Sequence, residues 1–256
     1  MTGHVTRISI APVKSLRVVH PPEVMLEPAG VSGDRRFWLV DESGRLYNGK
    51  RDARLVTVRP GWDEASRRLT LEFPGGRTVD GTVELGEAVT RQMHSSEVQS
   101  RRVHGPWEDA LSAFAGERLT LLWAEEPAID RRSRNGGVTL VSAGSLERLR
   151  TEAGSEGAVD GRRFRMLFEI DGVDAHAEDA WVGERVRIGE ALVAVTGAVG
   201  RCVVTTRHPE TGVVDLDTLR VLADYRRDGV GEPLPFGVYG TVVEPGRVRV
   251  GDVVGR

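Results

Sequence analysis

The chain has 256 residues, 39% of them hydrophobic, enough to bury a substantial core in one large domain or two modest ones. Its 35 basic and 38 acidic side chains leave a formal charge of −3, and no block of like charges offers a tail for nucleic acid or anionic lipid. A single cysteine excludes an internal disulfide, a cysteine-only zinc site and an iron–sulfur cluster held by this chain. Neither a signal-peptide core nor a membrane-length apolar run is present, so the expectation is a cytoplasmic protein whose partners are small molecules or proteins.

In chain order, short apolar-alternating runs at residues 5–11, 23–26, 37–41, 55–59, 69–73 and 82–85 predict strands, with Gly, Asp, Ser and Pro turns between them. Trp107, Ala110, Leu111 and Phe114 recur at helix spacing before Gly116, predicting a helix and a junction between parts at 1–115 and 116–256. A strand at 138–141 and a helix at 143–153 behind Ser142 then form one βα unit, followed by an apolar run at 166–170. Asp215 or Asp217 caps a short helix carrying Leu216, Leu219 and Leu222. The phrases around Val186 and Val248 resemble each other, as similar β-turns in a barrel do. The fold class is mainly β with several short helices.

Two features carry chemistry. Lys14 and Lys50 are the only lysines among the 35 basic residues, so Lys14 stands out for a task needing a compact ammonium. Cys202 follows Gly200-Arg201 at the end of the apolar run 191–199, where a strand gives way to a loop. Arg201 beside it favours thiolate, the form that binds soft metals or attacks electrophiles; a small buried apolar residue is the other reading. The six histidines show no ligand-like spacing, and His208 is expected to shape its loop or face substrate. Asp171, Asp174, Glu178 and Asp179 form either a proton relay or a solvated acidic loop.

Arg201-Cys202-Val203-Val204-Thr205-Thr206 with Pro209-Glu210-Thr211-Gly212 resembles the cysteine motif of MOSC proteins, especially their amidoxime-reducing branch. Ala11-Pro12-Val13-Lys14-Ser15, Arg35-Arg36-Phe37-Trp38-Leu39-Val40 and Arg54-Leu55-Val56 resemble the β-barrel domain that precedes MOSC in that branch. Tyr225-Arg226, Pro235-Phe236-Gly237-Val238-Tyr239 and Arg249-Val250-Gly251-Asp252 extend the likeness to the end.

The resemblance implies a β-barrel-like part, 1–115, packed on a MOSC β-barrel, 116–256. It implies a molybdenum cofactor in the molybdopterin form, with Cys202 as metal ligand and catalytic residue, and Lys14, Ser15, Arg36, Arg165, Arg201 and Tyr239 as cofactor contacts. The implied reaction is two-electron reduction of an N-hydroxylated compound, with electrons from a separate reductase. Two positions depart from the family pattern: Phe164-Arg165-Met166-Leu167 stands where the branch has Phe-Arg-Pro-Asn, and Gly200 where it has serine. A persulfide carrier using Cys202, a pyridoxal-phosphate site on Lys14 or Lys50, and a non-enzymatic binding module are the other readings compatible with these residues.

Overall fold

The computed structural model describes residues 2–127, 130, 137–227 and 232–255, and strands dominate it. In the first half, the alternating runs become a five-stranded antiparallel sheet in the order Leu46–Tyr47, Phe37–Asp41, Leu119–Ala124, Ser96–His104, Glu84–Met93. A three-stranded meander, Arg59–Asp63, Arg68–Glu72, Thr78–Thr82, shares its core. Helix α1 (Trp107–Ala115) turns Trp107, Ala110 and Leu111 into that core and stops at Gly116, whose φ of 81° is the left-handed cap the sequence predicts. Trp107 is fully buried, and its Nε1 donates to the Leu69 carbonyl at 3.1 Å, so the indole loses no hydrogen bond on burial.

Two runs resolve differently from expectation. Residues 53–57 form a 3-10 turn because Asp52 accepts from the Arg54 N–H at 2.9 Å, and the strand starts only at Arg59. Residues 82–85 straddle the end of one strand and the start of the next.

The second half builds a closed seven-stranded barrel in the order Gly3–Ile8, Phe168–Asp171, Val138–Ser142, Pro235–Glu244, Ala191–Gly200, Arg185–Ile188, Val253–Gly255. Only Val138–Ser142 and Phe168–Asp171 run parallel, and the crossover between them carries α2 (Ala143–Glu152), capped by Ser142 as predicted. Ile8, Phe168, Ile170, Val186, Val193 and Val254 fill the interior with no exposed surface. Each contributes roughly 1.5–3 kcal/mol by burial. The first strand of the chain is thus a stave of the second half's barrel, and Glu23–Glu27 pairs with Gly246–Arg249 nearby. Helix α3 (Thr218–Arg226), capped by Asp217, packs with α2 outside the barrel. Among the described residues no helix is long and apolar enough to cross a membrane.

Candidate functional site

The strand Ala191–Gly200 runs out of the barrel and delivers Cys202 as the residue before a 3-10 turn, Val203–Thr206. Cys202 is extended, at φ −137° and ψ 173°, and half-buried. The Thr205 N–H and hydroxyl both donate to its carbonyl at 3.0 Å, which fixes the backbone under the sulfur. A second 3-10 turn, Gly161–Phe164, is locked against the first. Arg163 donates to the Thr205 carbonyl at 3.1 Å and forks onto Asp215 at 2.9 and 3.0 Å. Together with the bend at residues 13–16 and Tyr239 these turns enclose a cavity of about 270 Å³.

Lys14, Ser15, Arg165, Arg201, Cys202 and Tyr239 all line this one cavity. Arg165 sits at φ 55° with its Nη2 buried and without a hydrogen-bond partner among the described residues. Burial, and then the neighbouring Arg35, push its pKa down to about 10. Lys14 is also buried, which lowers its pKa against the pull of Asp130, 2.7 Å from its Nζ. Burial works against the charge of Arg35 too, but Asp34 and Asp130 more than offset it. Arg35 donates to the Arg165 carbonyl at 3.0 Å, which ties these cations into one wall. Concentrating buried cations beyond their counter-ions costs several kcal/mol unless an anion joins them. A wall of this charge is suited to an anionic ligand.

Arg36 is a correction. Its guanidinium stacks over Trp123 at 4.5 Å and donates to the carbonyls of Ala124 and Glu125 at 3.1 and 3.0 Å, away from the cavity. Arg35 takes the place expected of it. Arg201 lines the cavity but does not aim its donors at the thiol. They go to the Phe236 and Phe164 carbonyls and, at 2.9 Å, to the Met166 sulfur, so Arg201 braces the turn at 161–164 against the barrel. Tyr239 lies flat over Gly197, where a β-carbon would come within 2.8 Å of the phenol oxygen. His208 shapes its loop, its Nδ1 accepting from the Glu210 N–H at 3.2 Å, and also lines the cavity.

Both departures have structural reasons. Leu167 points into the barrel core with 1% exposure, and its N–H donates at 2.9 Å to Thr139 Oγ1, which belongs to the cavity wall. A β-carbon at Gly200 would meet the movable Glu232 carboxylate at 2.6 Å and the Pro233 carbonyl at 3.1 Å, so the close approach of that segment favours glycine there.

The acidic cluster divides. Asp171 and Asp174 are exposed, but Glu178 is fully buried at the foot of α2, where its Oε1 accepts from the Ser142 N–H and the Ser145 hydroxyl. Its Oε2 has no partner, and burial raises its pKa. His176, in the loop before the 3-10 turn Ala177–Trp181, is half-buried beside it, its pKa driven down to about 4 by burial and then Arg226. Phe236 and Phe164 stack between this cluster and the cavity, so apolar rings stand where a relay would run.

A raised carboxyl pKa favours the neutral folded form. Its stabilisation is complete below the unfolded glutamate pKa and lost as pH rises through the folded value. Glu178→Gln, which keeps the neutral shape, is therefore expected to match wild type near pH 4.5 and to be about 1–3 kcal/mol more stable at pH 8. Chemical denaturation of both proteins at the two pH values checks this, and a constant difference would count against a buried neutral Glu178.

Sequence reading assigned no role at this cavity to Arg35, Thr139, Met166 and Arg207 and named Lys50 only for a different cofactor, though all five are on the cavity wall. Only the two lysines carried a compositional signal, and both face this cavity.

Fold and site together define a two-part β-barrel protein with a lone cysteine beside a wall of cations. The chain matches the MOSC domain model over residues 100–255 and the MOSC N-terminal beta barrel domain model over 2–120, and it belongs to the MOSC family. It is 27% identical to mitochondrial amidoxime-reducing component 1 of Homo sapiens, covering 98% of this chain and 82% of that protein. It is also 27% identical to molybdenum cofactor sulfurase of Oryza sativa subsp. japonica, covering 88% of this chain and 31% of that protein. Among solved structures, the YUAD protein from Bacillus subtilis aligns with a TM-score of 0.47 at 12% identity, covering 99% of this chain and 94% of that one.

Proposed function

We propose that this chain is a molybdenum-cofactor oxidoreductase that reduces N-hydroxylated compounds, fed with electrons by a separate reductase. The observation that carries this reading is Arg165. Its side chain lines the cavity that also holds Cys202, its Nη2 is buried with no hydrogen-bond partner among the described residues, and its pKa is depressed. Such a cation fits an anionic ligand and is costly without one. The residues present therefore fit the terminal phosphate of molybdopterin, with Lys14, Arg35 and Arg165 holding it, Ser15 and Thr139 offering hydroxyls, and Tyr239 as a wall. Cys202 supplies the protein thiolate for the metal, and we assign residues 1–115 and 116–256 as the two parts that meet around it, with Gly3–Ile8 exchanged into the second part's barrel and Leu119–Ala124 into the first part's sheet.

When bound, the cofactor supplies the two-electron chemistry that cleaves the substrate N–O bond, the oxygen leaving as water with two protons. The chain's own contribution is positional. Arg163 and Arg201 hold the two turns rigid, and the fixed cations neutralise the ligand without reorganising.

The test is expression in a host that makes the cofactor, followed by elemental analysis and reduction of benzamidoxime with reduced viologen as artificial donor. Close to one molybdenum per chain with turnover is expected. Metal-free protein that performs alkylation-sensitive sulfur transfer would replace this reading with the persulfide carrier.

A further inference from the structure

Eight lysine and arginine side chains line the cavity against one carboxylate, Asp130, among the described residues. A single phosphate accounts for Lys14, Arg35 and Arg165, while Arg162, Arg163 and Arg201 are engaged by Glu210, Asp215 and backbone carbonyls. Lys50 and Arg207 have no such assignment, and neither forms an ion pair among the described residues.

These two cations are held together by the backbone. Arg207 donates to the carbonyl of Gly49, the residue before Lys50, and the turn is fixed by the Lys50 N–H donating to Asn48 Oδ1 at 3.0 Å. A β-carbon on Gly49 would lie 3.9 Å from Ser15 and 4.0 Å from Val204, so the turn packs on the wall that carries Cys202. Cys202 and Arg207 flank opposite ends of the 3-10 turn Val203–Thr206. At a rise of about 2 Å per residue, their backbones are on the order of 10 Å apart. The turn acts as a ruler between the sulfur and a second positive locus. Lys50 is exposed and Arg207 half-buried, whereas Lys14 is buried, which places this locus nearer solvent than Lys14.

We propose that Lys50 and Arg207 form a second anion seat at the cavity mouth that binds a carboxylate on the substrate. The preferred substrates are then anionic N-hydroxylated compounds. The assignment of the anion to a substrate rests on the oxidoreductase reading above; the binding of a carboxylate there does not.

The experiment titrates 4-carboxybenzamidoxime and benzamidoxime into the protein as purified, by calorimetry, at low and high salt. The carboxylated compound is expected to bind about tenfold more tightly at low salt, with the preference shrinking as ionic strength rises. Lys50→Gln is expected to reduce that preference about threefold and Arg207→Gln to remove most of it. Lys50 donates only through its backbone among the described contacts, so its variant does not threaten the fold. Equal affinities, or a preference that survives both substitutions, overturn the proposal. Molybdenum content on the same samples separates the two readings. Loss of metal in the variants with ligand preference intact assigns these cations to the cofactor and also overturns it. Wild type without metal strikes the oxidoreductase reading alone, because the carboxylate preference is still measured.

Discussion

Replacing Arg165 by methionine is expected to make the cofactor-free protein more stable and to weaken its hold on the cofactor. Its side chain is half-buried, its Nη2 is fully buried with no partner among the described residues, and Arg35 repels the charge across the same wall. A neutral side chain of similar length removes that desolvation, worth about 1–3 kcal/mol, or a melting temperature higher by roughly 2–10 °C for a chain of this size. The same substitution removes a charge-assisted fork from the phosphate seat. A loss of about 2–3 kcal/mol there weakens cofactor binding roughly 30- to 150-fold. Opposite signs in the two measurements distinguish a ligand seat from a cation that merely braces the fold. A methionine variant that melts lower than wild type and retains cofactor would place Arg165 among the structural arginines.

Cys202→Ala should separate the metal from the organic part of the cofactor. The seat formed by Lys14, Arg35 and Arg165 is untouched by this change, and the Cys202 backbone is held through its carbonyl by Thr205, so fold and phosphate binding persist. Elemental analysis against pterin fluorescence is expected to show pterin largely retained and molybdenum per chain at least tenfold lower. Turnover should fall by at least about 100-fold, since loss of an outer-shell partner alone costs 10- to 100-fold at metal sites. Equal molybdenum in wild type and variant would remove Cys202 from the ligand set. Run beside Arg165→Met, which loses metal and pterin together, the pair maps the two ends of one ligand.

Much of the architecture was legible where local chemistry and burial agree. Ser142 and Asp217 cap the helices they were expected to cap, and Gly116 ends α1 in the left-handed region. The strand Ser96–His104 was not legible, because only Ser100 and Val103 of its nine residues are buried and its remaining side chains read as a polar loop. At the site, Lys14 and Cys202 stood out by rarity. The exchange of Arg36 for Arg35 could not be read, because Arg35 adopts φ 46° just before the strand begins, and the alternation that decides facing does not extend through it. Glu178 was hidden for another reason. Three of its acidic neighbours do reach solvent, and only tertiary packing against Ser142 and Ser145 sets it apart.

The first stave of the barrel has consequences for how the molecule is made. Gly3 pairs with Val254, so the ring cannot close until Val254 has left the ribosome, on the order of tens of seconds after the first strand is synthesised. Until then two strand edges of the growing ring stay open to other chains. Contacts of such long sequence separation also slow closure itself. Expressing residues 116–256 alone would leave this vulnerability permanent, giving a ring short of one stave and prone to aggregation. Rescue by supplying residues 2–20 as a separate peptide would show that the missing strand is the cause.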